Sequence, residues 1–269
     1  MLVPAADKIL KFDTRDNKAG EAIAGIHKAC GGAVSAFTSL WVPSCGDGTL
    51  LRLDPRTYKV KATIASGAVD VRGSIAASTD SVWLITDTKE TISRIDPDQD
   101  AVVAEFRVPP GCGNMIFAET ALWMTCPEQN KILKINPVTN LIEKRIDVGA
   151  KPLGLASGQG AIWVLCGKEG KIDRIDPKTD KVTKTLDLGT PDVNGGMVYG
   201  EGYLWVTATG FPLTRVDISE ADKERVAQQF FGEGGGAILT SSGAIWLSNL
   251  NNGTIARIDP KLVLATLAE

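Results

Sequence analysis

Residues 161–179 read AIWVLCGKEGKIDRIDPKT, and both halves of this stretch recur along the chain. The first half carries an aliphatic-Trp-aliphatic triplet. All six tryptophans of the protein occupy this position: Trp41, Trp83, Trp123, Trp163, Trp205 and Trp246. Successive tryptophans are 42, 40, 40, 42 and 41 residues apart. A period of about 40 to 45 residues built from short strands is typical of sheets repeated radially around an axis.

The second half of the stretch carries a basic residue, an aliphatic residue and Asp or Asn, usually followed by Pro. Seven copies are present, and they begin at Lys11, Arg52, Arg94, Lys134, Arg174, Arg215 and Arg257. Seven copies against six tryptophans indicate seven structural units, of which the first is degenerate. Residues 1–4 align with residues 40–43, so Leu2 takes the place of the missing Trp.

One complete repeat predicts four short strands, which we name A to D. Strand A covers 152–156, strand B 161–165, strand C 171–175 and strand D 181–186. Gly160 supplies the positive φ of a tight A–B turn, and Asp176-Pro177 begins the C–D turn. Hairpin-length connections make the four strands antiparallel neighbours. The sequence therefore predicts an all-β protein, a seven-bladed β-propeller of four-stranded antiparallel blades that forms a single domain over residues 1–269.

The two ends of the chain give specific expectations. Only six A strands exist because nothing precedes Met1, so the first blade is expected to lack its innermost strand. We also expect the natural chain to continue upstream, since the sequence opens inside a repeat and shows no signal peptide. Residues 262–267 are expected to form the outer strand of the seventh blade.

The repeated Trp and Lys/Arg positions are interpreted as packing residues. An aromatic ring at one fixed place in each blade fills the gap to the next blade and buries about 150–250 Å². A basic residue on strand C can lay its aliphatic stem between blades and send its charge to the rim. Neither set is expected to bind a ligand.

Four of the five cysteines occupy related positions in two repeats. Cys30 and Cys112 each lie 11 residues before a Trp, while Cys45 and Cys126 lie 4 and 3 residues after it. These positions bring the start of strand A opposite the end of strand B, close to disulfide geometry. We therefore predict disulfides Cys30–Cys45 and Cys112–Cys126, and with them an oxidising compartment, the periplasm or the cell exterior. The alternative is small buried cysteines of a cytosolic protein. Cys166 is left without a partner, because Pro152 occupies the partner position.

Composition excludes several classes of function. The chain is 43% hydrophobic and has a formal net charge of −3, with both signs interspersed. No basic patch argues for nucleic acid, and no apolar run approaches the roughly 18 residues that span a bilayer. The sequence has no CxxC pair and no His/Cys cluster, so it does not indicate a zinc site. We expect a monomer whose partner is an unidentified small molecule or protein.

The repeated Leu/Ile-Trp-Val and Arg-Ile-Asp-Pro units resemble those of the YVTN and virginiamycin B lyase-like group of seven-bladed β-propellers. The resemblance covers nearly the whole chain but rests on scaffold residues. It implies an enzyme that opens a cyclic ester antibiotic by elimination, with a histidine base and a magnesium ion. The chain has one histidine, His27, which matches no lyase catalytic motif. No catalytic residue is carried over, so the catalytic residues remain unknown.

In a propeller, the loops between D and the next A and between B and C gather on one face around the channel. The A-strand entries place His27, Asp70, Arg72, Asn114, Lys151 and Asn194 there. The B–C loops add Asp47, Asp87, Glu128, Gln129, Lys168, Asn249, Asn251 and Asn252. Arg72 departs from its repeat, since Cys, Pro or Asn holds that position elsewhere. It can form a ligand site with Asp70, or the two can form a salt bridge that closes the channel mouth.

Two functions follow from this arrangement. The first is a secreted or periplasmic scaffold that binds a ligand or a protein at the channel mouth. The second is a lyase or hydrolase of the virginiamycin B lyase type acting on a cyclic ester or lactone. Its base would be His27 or a carboxyl group with a raised pKa, such as Asp70 or Asp87. A Ca²⁺ or Mg²⁺ ion held by channel carboxylates and asparagines would serve either function.

Overall fold

The computed structural model describes residues 2–5, 8–68, 75–87, 91–208, 213–219, 225–229, 236–249 and 253–263. Their regular structure consists of short β-strands and one 3-10 helical turn, Pro260–Leu262. The chain divides into two compact units. The first is Met1–Glu128 with Leu133–Lys144, and the second is Gln129–Ile132 with Arg145–Glu269.

The strands of the described residues form one sheet for each repeat, numbered here in chain order. Sheet 1 contains β1 (Leu2–Ala5), β2 (Lys8–Asp13) and β3 (Lys18–Ala19). Sheet 2 contains β4 (Val34–Ala36), β5 (Ser39–Ser44), β6 (Thr49–Leu53) and β7 (Val60–Ala65). Sheet 3 contains β8 (Ile75–Ala77), β9 (Val82–Asp87), β10 (Thr91–Asp96) and β11 (Ala101–Arg107).

The remaining sheets follow the same order. Sheet 4 contains β12 (Gly113–Ala118), β13 (Ala121–Cys126), β14 (Lys131–Ile135) and β15 (Ile142–Asp147). Sheet 5 contains β16 (Pro152–Gly158), β17 (Ala161–Cys166), β18 (Lys171–Asp176) and β19 (Lys181–Asp187). Sheet 6 contains β20 (Met197–Gly200), β21 (Tyr203–Val206), β22 (Leu213–Asp217) and β23 (Arg225–Gln229). Sheet 7 contains β24 (Ile238–Ser241), β25 (Ala244–Asn249) and β26 (Thr254–Ile258).

Sheet 5 confirms the four strands predicted from the sequence. Strands β16 to β19 are hydrogen-bonded in chain order, and each pair is antiparallel. Strand β17 is buried along its length, while β19 alternates between exposed and covered positions. This difference identifies β19 as the outer strand, since only one of its faces packs against the protein.

The prediction for the first repeat is confirmed, whereas the prediction for the last strand is not. In sheet 1, Leu2 lies opposite Lys11, just as Trp41 lies opposite Arg52 in sheet 2, so Leu2 does hold the Trp position. The predicted outer strand over 262–267 is wrong at its start. Asp259 caps the 3-10 turn there by accepting a hydrogen bond from the Lys261 backbone N–H. Residues 264–267 of that prediction lie outside the described residues.

The tryptophans are core residues, as predicted, and each is at most 4% exposed. Trp41 of sheet 2 packs in one apolar cluster with Ile75 and Leu84 of sheet 3. Trp163 of sheet 5 packs in the same way with Leu204 of sheet 6. Each indole N–H also donates to an oxygen of the residue five positions earlier, so the polar atom of the buried ring is paired.

The basic residues of strand C do pack, but their charges do not simply run to the rim. In five sheets the cationic group lies 5.0–5.9 Å from the ring of the same sheet's Trp: Arg52, Arg94, Lys134, Arg174 and Arg257. In sheet 6 the group lies over Tyr203, and in sheet 1 Lys11 lies over Tyr58 of sheet 2. The register explains this arrangement, because the basic residue stands directly opposite the Trp. A cation over an aromatic face is attracted by the ring quadrupole.

Candidate functional site

Each sheet has one end where the chain enters strand A and the B–C loop leaves strand B, and we call it the loop end. Backbone hydrogen bonds join the two loops there. In sheet 2, the Gly46 N–H donates to the His27 carbonyl over 2.9 Å. In sheet 5, the Gly167 N–H donates to the Lys151 carbonyl over 2.9 Å. The predicted site residues at the A-strand entries and B–C loops are therefore neighbours within a sheet.

Both predicted disulfides are present, and both lie at a loop end. Cys30 is bonded to Cys45 in sheet 2, with their Cα atoms 6.0 Å apart. Cys112 is bonded to Cys126 in sheet 4, with their Cα atoms 4.1 Å apart. Each bond ties the entry of strand A to the end of strand B, so it fixes the two loops that carry candidate residues.

The loop end of sheet 2 brings His27 and Asp47 together. His27 Nδ1 lies 2.9 Å from Asp47 Oδ1. Because an ionised carboxylate only accepts hydrogen bonds, the Nδ1–H donates, and in the neutral imidazole Nε2 then carries the lone pair. The His27 side chain is 64% exposed, so that nitrogen can be reached from solvent. An imidazole whose tautomer and orientation are set by a carboxylate can act as a hydrogen-bond acceptor or a general base.

Ser44 and Gly46 hold this pair in place from below. The buried Ser44 hydroxyl accepts from the His27 backbone N–H over 3.0 Å and donates to Asp47 Oδ2, which is 3.1 Å away. A Cβ atom at position 46 would lie only 2.8 Å from the His27 carbonyl oxygen. Only glycine permits this close approach of the two loops.

The loop end of sheet 5 is built differently. Lys151 is exposed, and its backbone N–H donates to Asn130 Oδ1 over 3.0 Å. Below it, the buried Asp173 carboxylate accepts from the Gly149 N–H (2.8 Å), Thr185 Oγ1 (2.6 Å) and Cys166 Sγ (3.5 Å). Burial, followed by the nearby Asp173 charge, raises the pKa of the Cys166 thiol. Cys166 is therefore an inert structural thiol, and Asp173 anchors the chain that enters strand A.

The other predicted site residues that the structure describes belong to sheets 3 to 7. Asn114 is half-buried within β12 at a register shift, with φ of 43°. Asp87 ends β9, and Asn194 is exposed on the connection to β20. Of the other loop residues, Glu128, Gln129 and Lys168 are exposed and Asn249 ends β25. Asp70, Arg72, Asn251 and Asn252 lie outside the described residues, so their roles stay predictions.

The positions of the acidic, His and Cys side chains bear on the metal ion expected at the channel mouth. Within the described ranges, no three His, Cys, Asp or Glu side chains are grouped so that they could hold a metal ion. The same ranges contain no helix long and apolar enough to cross a membrane.

The sequence missed the contact between His27 and Asp47. Both residues were placed at the loop end of one sheet, but the pair lies 20 positions apart on two irregular loops. The available signal was the disulfide: His27 precedes Cys30 by three residues, and Asp47 follows Cys45 by two. Two residues that flank a cross-link at such short range must lie near each other.

Comparison with known proteins shows the fold. No protein-family model and no curated protein sequence matches the chain. A streptogramin B lyase structure matches with 19% identity and a TM-score of 0.73, covering 94% of this chain and 86% of that chain. Virginiamycin B lyase from Staphylococcus aureus matches with 17% identity and a TM-score of 0.74, covering 94% and 87%. BamB from Moraxella catarrhalis matches with 14% identity and a TM-score of 0.64, covering 95% and 80%.

The protein is thus an all-β propeller of antiparallel sheets, five of them four-stranded in the described residues, and its fold is virginiamycin B lyase-like. The resemblance predicted from the repeats is confirmed at the level of the fold. Identities below 20% carry the architecture only, so the activities of these proteins are not transferred with it.

Proposed function

We propose that the protein is a periplasmic or secreted propeller that binds a ligand or a partner protein at the loop end of sheet 2. The observation that carries this proposal is the His27–Asp47 pair. It is an exposed imidazole held in one orientation by a carboxylate, a buried hydroxyl and a nearby disulfide. Groups that are fixed before binding lose little entropy when a ligand arrives, which favours affinity.

The rest of the molecule supports this assignment. Two disulfides favour an oxidising compartment, since reduced thiols prevail in the cytosol. We propose one domain of seven blades over residues 1–269, with sheet 1 as the blade that lacks strand A. Because the Trp and Lys/Arg repeats are taken up by packing, the loop residues that differ between repeats are left for recognition. We expect the protein to be a monomer.

A thermal-shift screen tests binding at this site. Divalent metals, cyclic peptides and lactones would be screened against the wild type, His27→Ala, Arg72→Ala and Lys178→Ala. Lys178 is an exposed residue of the C–D turn of sheet 5 and serves as a matched control. We expect a ligand that raises Tm of the wild type and of Lys178→Ala but not of His27→Ala. Equal shifts in all four proteins would remove the assignment of the site to His27.

An enzymatic role at the same pair is the second candidate. Asp47 orients the His27 ring so that Nε2 can remove a proton from the carbon beside the one that bears an ester oxygen. The C–H electron pair then forms the C=C bond, the C–O bond breaks, and the carboxylate leaves. This reaction opens a cyclic ester without a change in mass. Lyases that share the fold make a cyclic ester or lactone the substrate class to test.

Mass spectrometry separates the two enzymatic outcomes. Elimination leaves the mass of the opened ring unchanged, whereas hydrolysis adds one water. We expect His27→Gln to abolish either reaction, and Asp47→Asn to lower its rate about 10²- to 10⁴-fold, the range of general acid–base catalysis. If the wild type binds the cyclic ester but does not open it, the result would support the scaffold function and contradict the enzymatic one. A Ca²⁺ or Mg²⁺ requirement would support the divalent ion expected from the sequence.

A further inference from the structure

The segment that carries His27 has little regular structure of its own. Strand β3 ends at Ala19 and β4 begins at Val34, and between them the pairing consists of two isolated bridges, Ile9↔Ile23 and Ala29↔Ser44. Strand A of sheet 2 is three residues long, against seven in sheet 5. His27 is therefore held by contacts other than a sheet ladder.

The contacts of residues 27–30 run to the end of strand β5 and to the residues just after it. The Cys45 N–H donates to the Lys28 carbonyl over 3.0 Å, and the Gly46 N–H donates to the His27 carbonyl over 2.9 Å. The Cys30–Cys45 disulfide is the covalent tie between the same two stretches. Closing a loop of this kind removes conformational freedom from the chain, so the disulfide restrains both stretches.

Sheet 5 shows what replaces the disulfide when it is missing. There the Gly167 N–H donates to the Lys151 carbonyl, the equivalent of the Gly46–His27 bond. Pro152 and Cys166 stand where a cross-link would be, and strand β16 begins at once with Pro152. A long A strand thus holds the loops of sheet 5, whereas in sheet 2 the A strand is short and the disulfide adds to the hydrogen bonds that Ser44, Cys45 and Gly46 make with residues 27–28.

We propose that the redox state of Cys30–Cys45 controls whether the His27–Asp47 pair is assembled. A dithiol reductant attacks one sulfur, and after a second exchange Cys30 and Cys45 are both thiols while the dithiol becomes a disulfide. The entry segment then loses its covalent closure, and His27 moves away from Asp47. Oxidation by thiol–disulfide exchange reverses the change. This inference rests on the proposed function, in which that pair is the binding site.

The two disulfides of the protein differ in the way this regulation requires. Cys30 is 6% exposed and Cys45 is half-buried, whereas Cys112 and Cys126 are 7% and 1% exposed, so the difference lies in the sulfur of Cys45. Strand β12 of sheet 4 is six residues long and pairs with β13 from Gly113 onward, so it holds its loops without help. Opening Cys112–Cys126 is therefore the matched control, since it breaks an equivalent bond away from any His–Asp pair.

Nuclear magnetic resonance provides a direct test, because His27 is the one histidine of the chain. At alkaline pH, the ring ¹⁵N shifts report whether Nδ1 carries the proton that it donates to Asp47. We expect the double variant Cys30→Ser/Cys45→Ser to lose that tautomer preference. Amide exchange at Cys45 and Gly46 should also accelerate about tenfold or more, because the segment that pairs with them loses its covalent closure. The Cys112→Ser/Cys126→Ser variant should keep both signatures at His27.

Ring shifts and amide exchange that stay unchanged when Cys30–Cys45 is open would overturn the proposal. If the double variant does not fold, stepwise reduction of the wild type with dithiothreitol gives the same readouts. Mass spectrometry then identifies which disulfide has opened. These measurements need no ligand, so they are independent of the thermal-shift screen. If opening Cys30–Cys45 changes the ring shifts and amide exchange but no ligand binds at His27, the binding site is refuted. The control of the His27–Asp47 pair by the disulfide would still stand.

Discussion

Pro152 and Cys166 face each other across strands β16 and β17, where the corresponding hairpin of sheet 4 is closed by Cys112–Cys126. The separation in sequence is the same, since 166 − 152 = 14 and the existing disulfide also spans 14 residues. Sheet 5 therefore has half of a cross-link. The thiol is already in position, and a proline stands where the second sulfur would be.

Pro152→Cys should create a third disulfide with Cys166. A closed loop of this size is expected to raise the free energy of unfolding by about 3 kcal/mol. Thiol titration of the unfolded protein and denaturant unfolding with and without reductant measure the two effects. Pro152→Ser is the control, because it removes the ring without adding a sulfur. Two free thiols in the oxidised variant would show that the register differs from the one described.

Cys166 should make the protein lose stability at alkaline pH. Burial raises the pKa of this thiol, so it stays protonated in the folded state. The unfolded thiol ionises above about pH 9, so the unfolded state then binds fewer protons and becomes favoured. We expect the free energy of unfolding of the wild type to fall by up to about 1.4 kcal/mol per pH unit in that range. Urea unfolding of Cys166→Ala should lack this part of the slope, and equal slopes would contradict the prediction.

Arg52 should contribute more to stability than its counterparts in other sheets. Its guanidinium lies over Trp41 and donates to the Pro97 carbonyl and to Asp100 Oδ1, the latter over 2.8 Å. Both partners belong to the C–D turn of the neighbouring sheet 3. Because removal leaves a partly buried carboxylate without its cation, Arg52→Ala should cost about 2–3 kcal/mol in unfolding free energy.

Arg174→Ala is the matched comparison for Arg52, since Arg174 stacks on Trp163 and donates to Thr183 of its own sheet. We expect a smaller loss for this variant. A double-mutant cycle between Arg52→Ala and Asp100→Ala should give a coupling energy of about 1 kcal/mol. Additive losses in the cycle would mean that Arg52 stabilises the protein without Asp100, through Trp41 and the Pro97 carbonyl.

The C–D turn of sheet 2 should be sensitive to acid. Asp54 Oδ1 accepts from the backbone N–H groups of Thr57 and Arg56, and these bonds lower the pKa of the carboxyl group. The stabilising effect is present above the unfolded pKa and is lost as the pH falls below about 4. Asn136 makes the same two kinds of bond in sheet 4 without a charge. Asp54→Asn should therefore keep the turn and reduce the loss of Tm between pH 6 and pH 3.

The comparison partner for that experiment is Asp54→Ala, which removes the acceptor at every pH. Its Tm should be lowered at pH 6 and should change less than that of the wild type on acidification. An acid response of Asp54→Asn equal to that of the wild type would place the sensitivity elsewhere. Differential scanning calorimetry at matched ionic strength provides the measurement.

Periodicity predicted the sheets because each strand copies a pattern of burial that repeats with the chain. The disulfides followed from the same logic, since a hairpin register fixes which positions meet. For the basic residues of strand C, the sequence predicted that they pack in the sheet but not where their charged groups lie. Their spacing from the Trp indicated packing, but stacking depends on the register that sets Arg52 directly opposite Trp41.

The candidate site depended on irregular loops, where no period applies. His27 and Asp47 meet because Gly46 lets two loops approach and Ser44 bridges them from the core side. Neither the close approach at Gly46 nor the hydrogen bonds of Ser44 can be predicted from the spacing of residues in the sequence. The end of the chain illustrates the same limit: Pro260 favours a helical start, and its local preference prevailed over the expected strand at Leu262.

Every indole N–H donates to the residue five positions upstream, and in five of the sheets a cation from the same stretch covers the ring. A stretch of gene that encodes one such unit thus carries its own aromatic anchor, the acceptor for it and the charge that covers it. A duplicated stretch therefore encodes a sheet that needs only an apolar surface to pack against. Such a chain can gain repeats without changes to the core residues of the existing ones.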